Sequence, residues 1–225
     1  MDSVARKQRG IRLTVTVLVS VIALIVLLFI GEQWLASGTG NPKAPDLSAE
    51  HAVVFPLRQQ ISSFSLRADN GARYSEKALS GHWTLAFLAG TRCVGDCAAT
   101  LQTLRALRAT LEPSQPKPRF LMVATDPTLD TPQALHAYLQ PYGDGFRAVT
   151  GAHDSLAAFA RDLKSAYDLP AGTVARSRIA RLALIDPEGK LVALLQPPFA
   201  VETLRSAYLR TVSWEKSMSR LRPGP

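Results

Sequence analysis

The sequence is poor in cysteine and histidine, and it lacks the motifs of several protein classes. Only two cysteines and four histidines occur in 225 residues, and residues 154–225 contain no histidine. The basic residues are scattered and form no stripe interleaved with aromatic residues, which excludes nucleic acid as the expected partner despite a net charge of +8. The peroxidase pattern Pro-x-x-x-Thr-x-x-Cys is absent. With 47% apolar and 20% charged residues, the composition predicts a globular protein.

A long apolar run without charge lies near the N-terminus. It extends from Leu13 to Ile30, and as a helix it would rise about 27 Å, close to the thickness of the bilayer hydrocarbon. Basic residues precede the run, whereas Glu32 and Trp34 follow it. The positive-inside rule then predicts a single-pass anchor in the inner membrane, with a cytoplasmic N-terminus and the rest of the chain in the periplasm. A cleaved signal peptide is the alternative.

These features divide the chain into five predicted segments. They are a basic cytoplasmic tail (1–12), a transmembrane anchor (13–31), a flexible tether (32–58), a folded domain (59–212) and a basic tail (213–225). The tether is assigned because its first part is rich in small polar residues and proline and shows no periodicity. Cysteines in an exported domain tend to oxidise unless another system keeps them reduced.

The two cysteines stand four residues apart, between a predicted strand and a predicted helix. Residues 83–87 are the apolar, β-branched and aromatic types of a buried strand, and leucines recur at helical spacing afterwards (Leu101, Leu104, Leu107, Leu111). We expect Cys93 at or before the helix N-terminus and Cys97 one turn inside, where the helix dipole stabilises a thiolate. The sulfurs could then meet each other or share one soft metal ion. Inert core cysteines and a structural disulfide are the alternatives, although closing so short a loop constrains the unfolded chain little.

Predicted strands and helices alternate through the rest of the domain. Asn70-Gly71 predicts a hairpin turn. A continuous apolar strand is predicted at 120–124 and a short strand at 146–150, and each is followed by an amphipathic helix. Asp186-Pro-Glu-Gly189 predicts a tight turn between two closing strands, before a last helix that begins at Val201. This order predicts a thioredoxin-like α/β domain of three layers.

Three short motifs occur in order along the domain. They are Thr91-x-Cys93-x-x-x-Cys97, Asp126-Pro-x-x-Asp130-Thr-Pro132 and Leu184-Ile-Asp-Pro-Glu-Gly189. With the N-terminal anchor, they make residues 60 to 212 resemble the Sco/SenC family of membrane-anchored thioredoxin-fold proteins. The resemblance implies assembly of the copper site of cytochrome c oxidase subunit II, with that subunit or another oxidase assembly factor as the partner. It also implies copper(I) as the metal, bound by Cys93, Cys97 and a loop histidine.

The chain departs from the family pattern at the metal ligands. Val94 and Ala98 occupy the positions where prolines usually follow the two cysteines, and Arg178 stands where the family histidine is expected. An arginine side chain cannot donate a lone pair to a metal. A guanidinium near the sulfurs would instead favour thiolates and repel a cation.

We therefore predict that Cys93 and Cys97 act chiefly as a redox pair in thiol–disulfide exchange. Cys93 would be the attacking thiolate and Cys97 the resolving thiol, while Arg178 and Arg92 would lower the pKa of the Cys93 thiol. One alternative is a copper(I) chaperone in which Cys93 and Cys97 recruit another ligand, such as His153 or a histidine of a partner. Another is a non-catalytic thioredoxin-like assembly scaffold.

Overall fold

A computed structural model describes residues 20–22, 24–25, 43–93, 95–165, 179 and 181–221. The chain divides into two compact units, Met1–Lys43 and Ala44–Pro225. Of the predicted anchor, only residues 20–22 and 24–25 are described, and they are helical. Within the described ranges, no helix combines the length and the apolarity that crossing a membrane requires.

The second unit is built on one eight-stranded sheet, counted over the described residues. Its strand order is β1-β8-β7-β4-β5-β6-β2-β3. The central strands β4, β5 and β6 are parallel, and the other pairs are antiparallel. The strands are β1 (Ala52–Gln59), β2 (Ser65–Ala68), β3 (Arg73–Ser75), β4 (Thr84–Ala89), β5 (Arg119–Ala124), β6 (Phe146–Thr150), β7 (Leu182–Ile185) and β8 (Leu191–Leu195).

Helices cover both faces of this sheet. They are α1 (Asp96–Thr110), α2 (Pro132–Leu139), α3 (His153–Asp162) and α4 (Val201–Leu221), with short 3₁₀ turns at Ser48–Glu50, Glu76–Leu79 and Gln140–Tyr142. Because side chains alternate along a strand, Phe87 and Met122 pack in the core with α1, α2 and α4, whereas Ala86 and Val123 pack with α3 on the other face. The predicted α/β arrangement of three layers is confirmed.

The folded unit begins earlier than the predicted boundary at residue 59. Leu47 is buried, and β1 pairs with β8 at the edge of the sheet, in the segment that we predicted to be a flexible tether. Glu50 fastens this segment to α4, because its Oε1 accepts hydrogen bonds from Ser206 Oγ at 2.9 Å and Arg210 at 2.5 Å. Residues 44–58 therefore belong to the domain.

The folded unit also ends later than predicted. Residues 213–221, assigned to a basic tail, continue α4 as a regular helix. Trp214 and Met218 are buried, and they extend the apolar face that begins with Leu204 and Tyr208. The predicted tail fails because one helical face stays apolar while the other carries Lys216 and Arg220.

Candidate redox site

The structure joins Cys93 and Cys97 in a disulfide, with their Cα atoms 5.7 Å apart. Cys93 lies three residues before α1, and Cys97 is the second residue of that helix, as the leucine spacing predicts. Cys97 is fully buried, whereas 6% of Cys93 remains exposed. Cys93 is thus the more accessible of the two cysteines. Both belong to the apolar core cluster.

The Cys93 side of the disulfide sits in a loop held by backbone hydrogen bonds. The Cys93 N–H donates to the Gly90 carbonyl at 2.9 Å, which closes a turn directly after β4. The Cys93 carbonyl accepts a hydrogen bond from Tyr138 Oη at 2.8 Å, across a sequence separation of 45 residues. Tyr138 belongs to α2, so this loop is tied to a neighbouring element of the fold.

Asp130 provides a second tie to the same loop. Its Oδ1 accepts hydrogen bonds from the Thr91 N–H at 2.8 Å and from Thr91 Oγ1 at 2.7 Å. Its Oδ2 accepts from the Asp126 N–H at 3.1 Å. Asp130 is only 1% exposed. These three hydrogen bonds therefore compensate the carboxylate for the water that it loses on burial.

The approach of Asp130 requires a glycine at the end of β4. A Cβ on Gly90 would lie 2.9 Å from Asp130 Oδ2 and 2.9 Å from Thr125 Oγ1, closer than normal contact. Thr131, the residue after Asp130, caps α2, because its hydroxyl accepts a hydrogen bond from the Ala134 N–H at 3.2 Å. The start of α2 and the cysteine loop therefore form one hydrogen-bonded unit.

An ion pair lies at the rim of the site. The Arg92 guanidinium is 3.6 Å from Asp126 Oδ2, and its side chain is 52% exposed. Thr128 donates to Asp126 Oδ1 through its N–H at 3.1 Å and its Oγ1 at 2.5 Å. The Thr128 hydroxyl is the main cause that lowers the pKa of Asp126, with a smaller contribution from Arg92. Arg92 is therefore partly neutralised by Asp126, and its predicted effect on the Cys93 thiol remains a prediction.

A small cavity opens between the ion pair and the disulfide. Its volume is about 20 Å³, enough for about one water molecule. It is lined by Gly90, Arg92, Cys93, Thr125, Asp126 and Asp130. Cys93 therefore borders a polar recess, whereas Cys97 packs within the core.

Arg178 and His153 are the other predicted site residues. Arg178 falls in residues 166–178, outside the described residues, and the prediction for it remains a prediction. His153 begins α3 on the opposite face of the sheet and pairs with Asp154 at 3.6 Å. No group of three His, Cys, Asp or Glu side chains among the described residues could hold a metal ion. Among the described residues, His153 forms no such group with the two cysteines, and its role as a copper ligand remains a prediction.

Tyr138 and Asp130 contact the cysteine loop, but the sequence predicts no site role for either residue. Asp130 occurs only within one of the three motifs, and the spacing of Tyr138 is that of an apolar helix face. One signal was available, because a tyrosine on a buried helix face needs a hydrogen-bond partner for its hydroxyl. The identity of that partner depends on tertiary structure, which spacing does not supply.

Residues 56–213 match the family model described as SCO1/SenC. The chain belongs to the SCO1/SenC family. A protein of Stutzerimonas stutzeri whose name describes copper binding is 28% identical to it over 165 residues, which cover 71% of this chain and 80% of that protein. The predicted family is therefore confirmed.

Solved structures give the same fold. Arabidopsis thaliana ScoI with copper bound is 24% identical, with a TM-score of 0.61 over 68% of this chain and 99% of that chain. BsSco, described with a disulfide switch and as a member of the Sco family of cytochrome c oxidase assembly proteins, is 21% identical, with a TM-score of 0.57 over 71% and 98%. The predicted thioredoxin-like α/β Sco fold is confirmed.

Proposed function

We propose that this chain is an assembly factor for cytochrome c oxidase that acts on the copper site of subunit II chiefly by thiol–disulfide exchange. The observation that carries the proposal is the Cys93–Cys97 disulfide at the start of α1, with Cys93 as the more exposed partner. Family membership supports the oxidase as the target, since BsSco is described both with a disulfide switch and as an oxidase assembly protein. Residues 13–31 would anchor the domain in the inner membrane, facing the periplasm.

The exchange begins from the dithiol form of the chain. The Cys93 thiolate attacks one sulfur of a disulfide in the client, forms a mixed disulfide and releases one client thiolate. The Cys97 thiolate then attacks the Cys93 sulfur, releases the second client thiolate and closes the intramolecular disulfide. Two electrons pass from this chain to the client, and a thiol reductant of the same compartment must restore the dithiol afterwards.

The site favours Cys93 as the attacking group for two physical reasons. It borders the polar cavity and is the more exposed cysteine, and thiolate access sets the exchange rate. It also precedes α1, whose N–H groups and dipole stabilise a nearby negative charge. In the proposal, Arg178 adds a further positive charge, and Arg92 contributes less because it pairs with Asp126.

Copper handling is the second candidate function. It is favoured by the name of the S. stutzeri relative and by the copper-bound Arabidopsis ScoI. In the dithiol state, Cys93 and Cys97 would offer two thiolates, which copper(I) accepts as soft ligands. Within the part of the chain that the structure describes, no third ligand joins them. Copper(I) would then be a cargo held by two sulfurs and open to competition.

Oxidase assembly in cells that lack the endogenous protein tests the main proposal. We expect Cys93→Ser and Cys97→Ser each to abolish assembly of the subunit II copper site, while wild type restores it. Ala99→Ser, on the exposed side of α1, is the matched control and should behave like wild type. Full assembly with the Cys93→Ser, Cys97→Ser double variant would contradict the proposal and support a non-catalytic scaffold.

Copper(I) titration of the reduced full-length chain against a chelator of known affinity separates the two candidates. Weak binding that the chelator outcompetes is expected if exchange is the main activity. Tight binding of one copper(I) per chain, lost in the double cysteine variant, would instead make the chain a copper chaperone.

A further inference from the structure

The loop that carries Cys93 is hydrogen-bonded to one neighbouring segment of the fold. Asp130, just before α2, holds both the N–H and the hydroxyl of Thr91. Tyr138, within α2, donates to the Cys93 carbonyl at 2.8 Å. The segment that runs from the Asp126 turn to the end of α2 therefore holds this loop at Thr91 and at the Cys93 carbonyl.

Cys97 is held in a different way. It lies inside α1 and is fully buried. It belongs to the same buried helix face as the leucines that follow it (Leu101, Leu104, Leu107). Its position follows from the packing of α1 against the core. The separation of the two sulfurs therefore depends on how firmly the Cys93 loop is held.

Tyr138 is suited to hold a backbone carbonyl. Its hydroxyl is the donor in this bond, and burial raises the pKa of Tyr138, so the donor keeps its proton around neutral pH. Its ring packs near that of Tyr142, at 6.4 Å between centroids, and Tyr142 in turn contacts Phe146 at 5.7 Å. These neighbouring rings restrict the positions that the Tyr138 ring can take.

We propose that Tyr138 is a positioning residue for the redox pair, holding Cys93 where its sulfur meets that of Cys97. This inference rests on the proposed exchange function, and it names a residue that sets the equilibrium between the dithiol and the disulfide. A preorganised pair closes its disulfide at a smaller entropic cost. Removing the hydroxyl should therefore make the disulfide easier to reduce.

Equilibration of the full-length chain with glutathione tests the inference. Two glutathione thiols reduce the Cys93–Cys97 disulfide and become one glutathione disulfide, so that two electrons pass to the protein. The ratio of dithiol to disulfide is measured by alkylation and intact mass over a series of glutathione ratios. We expect Tyr138→Phe to shift the equilibrium constant toward the dithiol by about threefold. This is the size expected if the hydrogen bond from Tyr138 is stronger in the disulfide form than in the dithiol form.

Tyr142→Phe is the matched control. It removes the same atom from a neighbouring half-buried tyrosine whose hydroxyl makes no hydrogen bond with the described residues. Its glutathione equilibrium should equal that of wild type. A Tyr138→Phe protein with the wild-type equilibrium overturns the inference.

The same measurement separates a positioning role from a purely structural one. If Tyr138 only stabilised the fold, Tyr138→Phe would lower the urea midpoints of the oxidised and reduced proteins equally and leave the glutathione equilibrium unchanged, which overturns the inference. A larger loss in the oxidised protein supports it. Because glutathione replaces the client, this outcome does not depend on whether the chain acts on the oxidase.

Discussion

Two Asp-Pro turns of this chain look alike in sequence and behave differently in the fold. Asp126 and Asp186 each precede a proline, and each carboxylate accepts the N–H of the residue two positions on. Asp186 is 2% exposed and pairs at 2.9 Å with Arg58, whose side chain is also buried. Asp126 is partly exposed and pairs at 3.6 Å with the exposed Arg92.

The two carboxylates titrate in opposite directions for that reason. Burial raises the pKa of Asp186, although Arg58 and two backbone N–H groups favour its charged form. The Thr128 hydroxyl and Arg92 lower the pKa of Asp126, where desolvation is smaller. The Asp186 turn thus links β1, the β7–β8 turn and α4 through buried charges. The Asp126 turn lies at the rim of the redox site, and water can replace its contacts.

Arg58 is the residue whose loss should have the largest effect. It lies in β1 and reaches Asp186 in the β7–β8 turn and Glu215 in α4, at 2.9 and 3.0 Å. Arg58→Met would leave two buried carboxylates without their guanidinium, which costs about 3–5 kcal/mol. We expect this loss in the free energy of unfolding, measured by urea titration at neutral pH.

Glu188→Gln is the control for that substitution. Glu188 also pairs with Arg58, but its side chain is 55% exposed, so the change should cost about 0–1 kcal/mol. Under conditions in which the Arg58→Met protein is still folded, the equilibrium constant of its cysteine pair with glutathione should equal that of wild type. If Arg58→Met lost as little stability as Glu188→Gln, the buried ion pairs of Arg58 would not stabilise the domain as proposed.

Asp130 should matter less for stability than Arg58, but it should matter for the site. Asp130→Asn replaces a carboxylate that accepts three hydrogen bonds with a group that must turn a donor toward one of those N–H groups. The expected cost is about 2 kcal/mol by urea unfolding. Asp126→Asn, at the exposed end of the same turn, is the comparison and should cost about 0.5 kcal/mol. Equal losses would show that burial does not distinguish the two aspartates.

The acid dependence of Asp126 should be the smallest effect. Its lowered pKa means that its stabilising contribution is fully present above 3.8, its ordinary value, and is lost as the pH falls through the folded value below that. Thr128→Val removes the main cause of this shift. We expect the variant to be less stable than wild type by under about 1 kcal/mol at pH 7, with a gap that narrows near pH 3.

Urea titrations at both pH values measure that gap. A gap that widens on acidification would contradict the direction assigned to the Asp126 pKa. Asp186 should act in the opposite sense, because a carboxyl whose folded pKa is raised contributes stability that is lost as the pH rises through that value.

The sequence predicts the local elements around the site because local chemistry determines them. The apolar runs predict β4 and β5, and Asp186-Pro-Glu-Gly189 predicts the closing turn. These features need no knowledge of distant residues. The strand–loop–helix placement of the two cysteines follows in the same way.

The parts that the sequence does not predict depend on distant contacts. β1 contains Pro56 and carries exposed Leu57, so it does not resemble a buried strand, and its pairing with β8 bridges more than a hundred residues. A proline of this kind is tolerated at a sheet edge. The hydrogen bond from Tyr138 to Cys93 and the pairing of Arg92 with Asp126 are likewise tertiary contacts.

The central claim is that Cys93 attacks and Cys97 resolves, and trapping of a mixed disulfide tests it most directly. Reduced full-length Cys97→Ser and Cys93→Ser variants are incubated with an oxidised peptide that carries the cysteine pair of the subunit II copper loop. Adducts are then counted by intact mass without reductant. We expect Cys97→Ser to accumulate a mixed disulfide on Cys93, at least about tenfold faster than Cys93→Ser forms one on the buried Cys97. Equal rates in the two variants, or no adduct in either, would contradict the account.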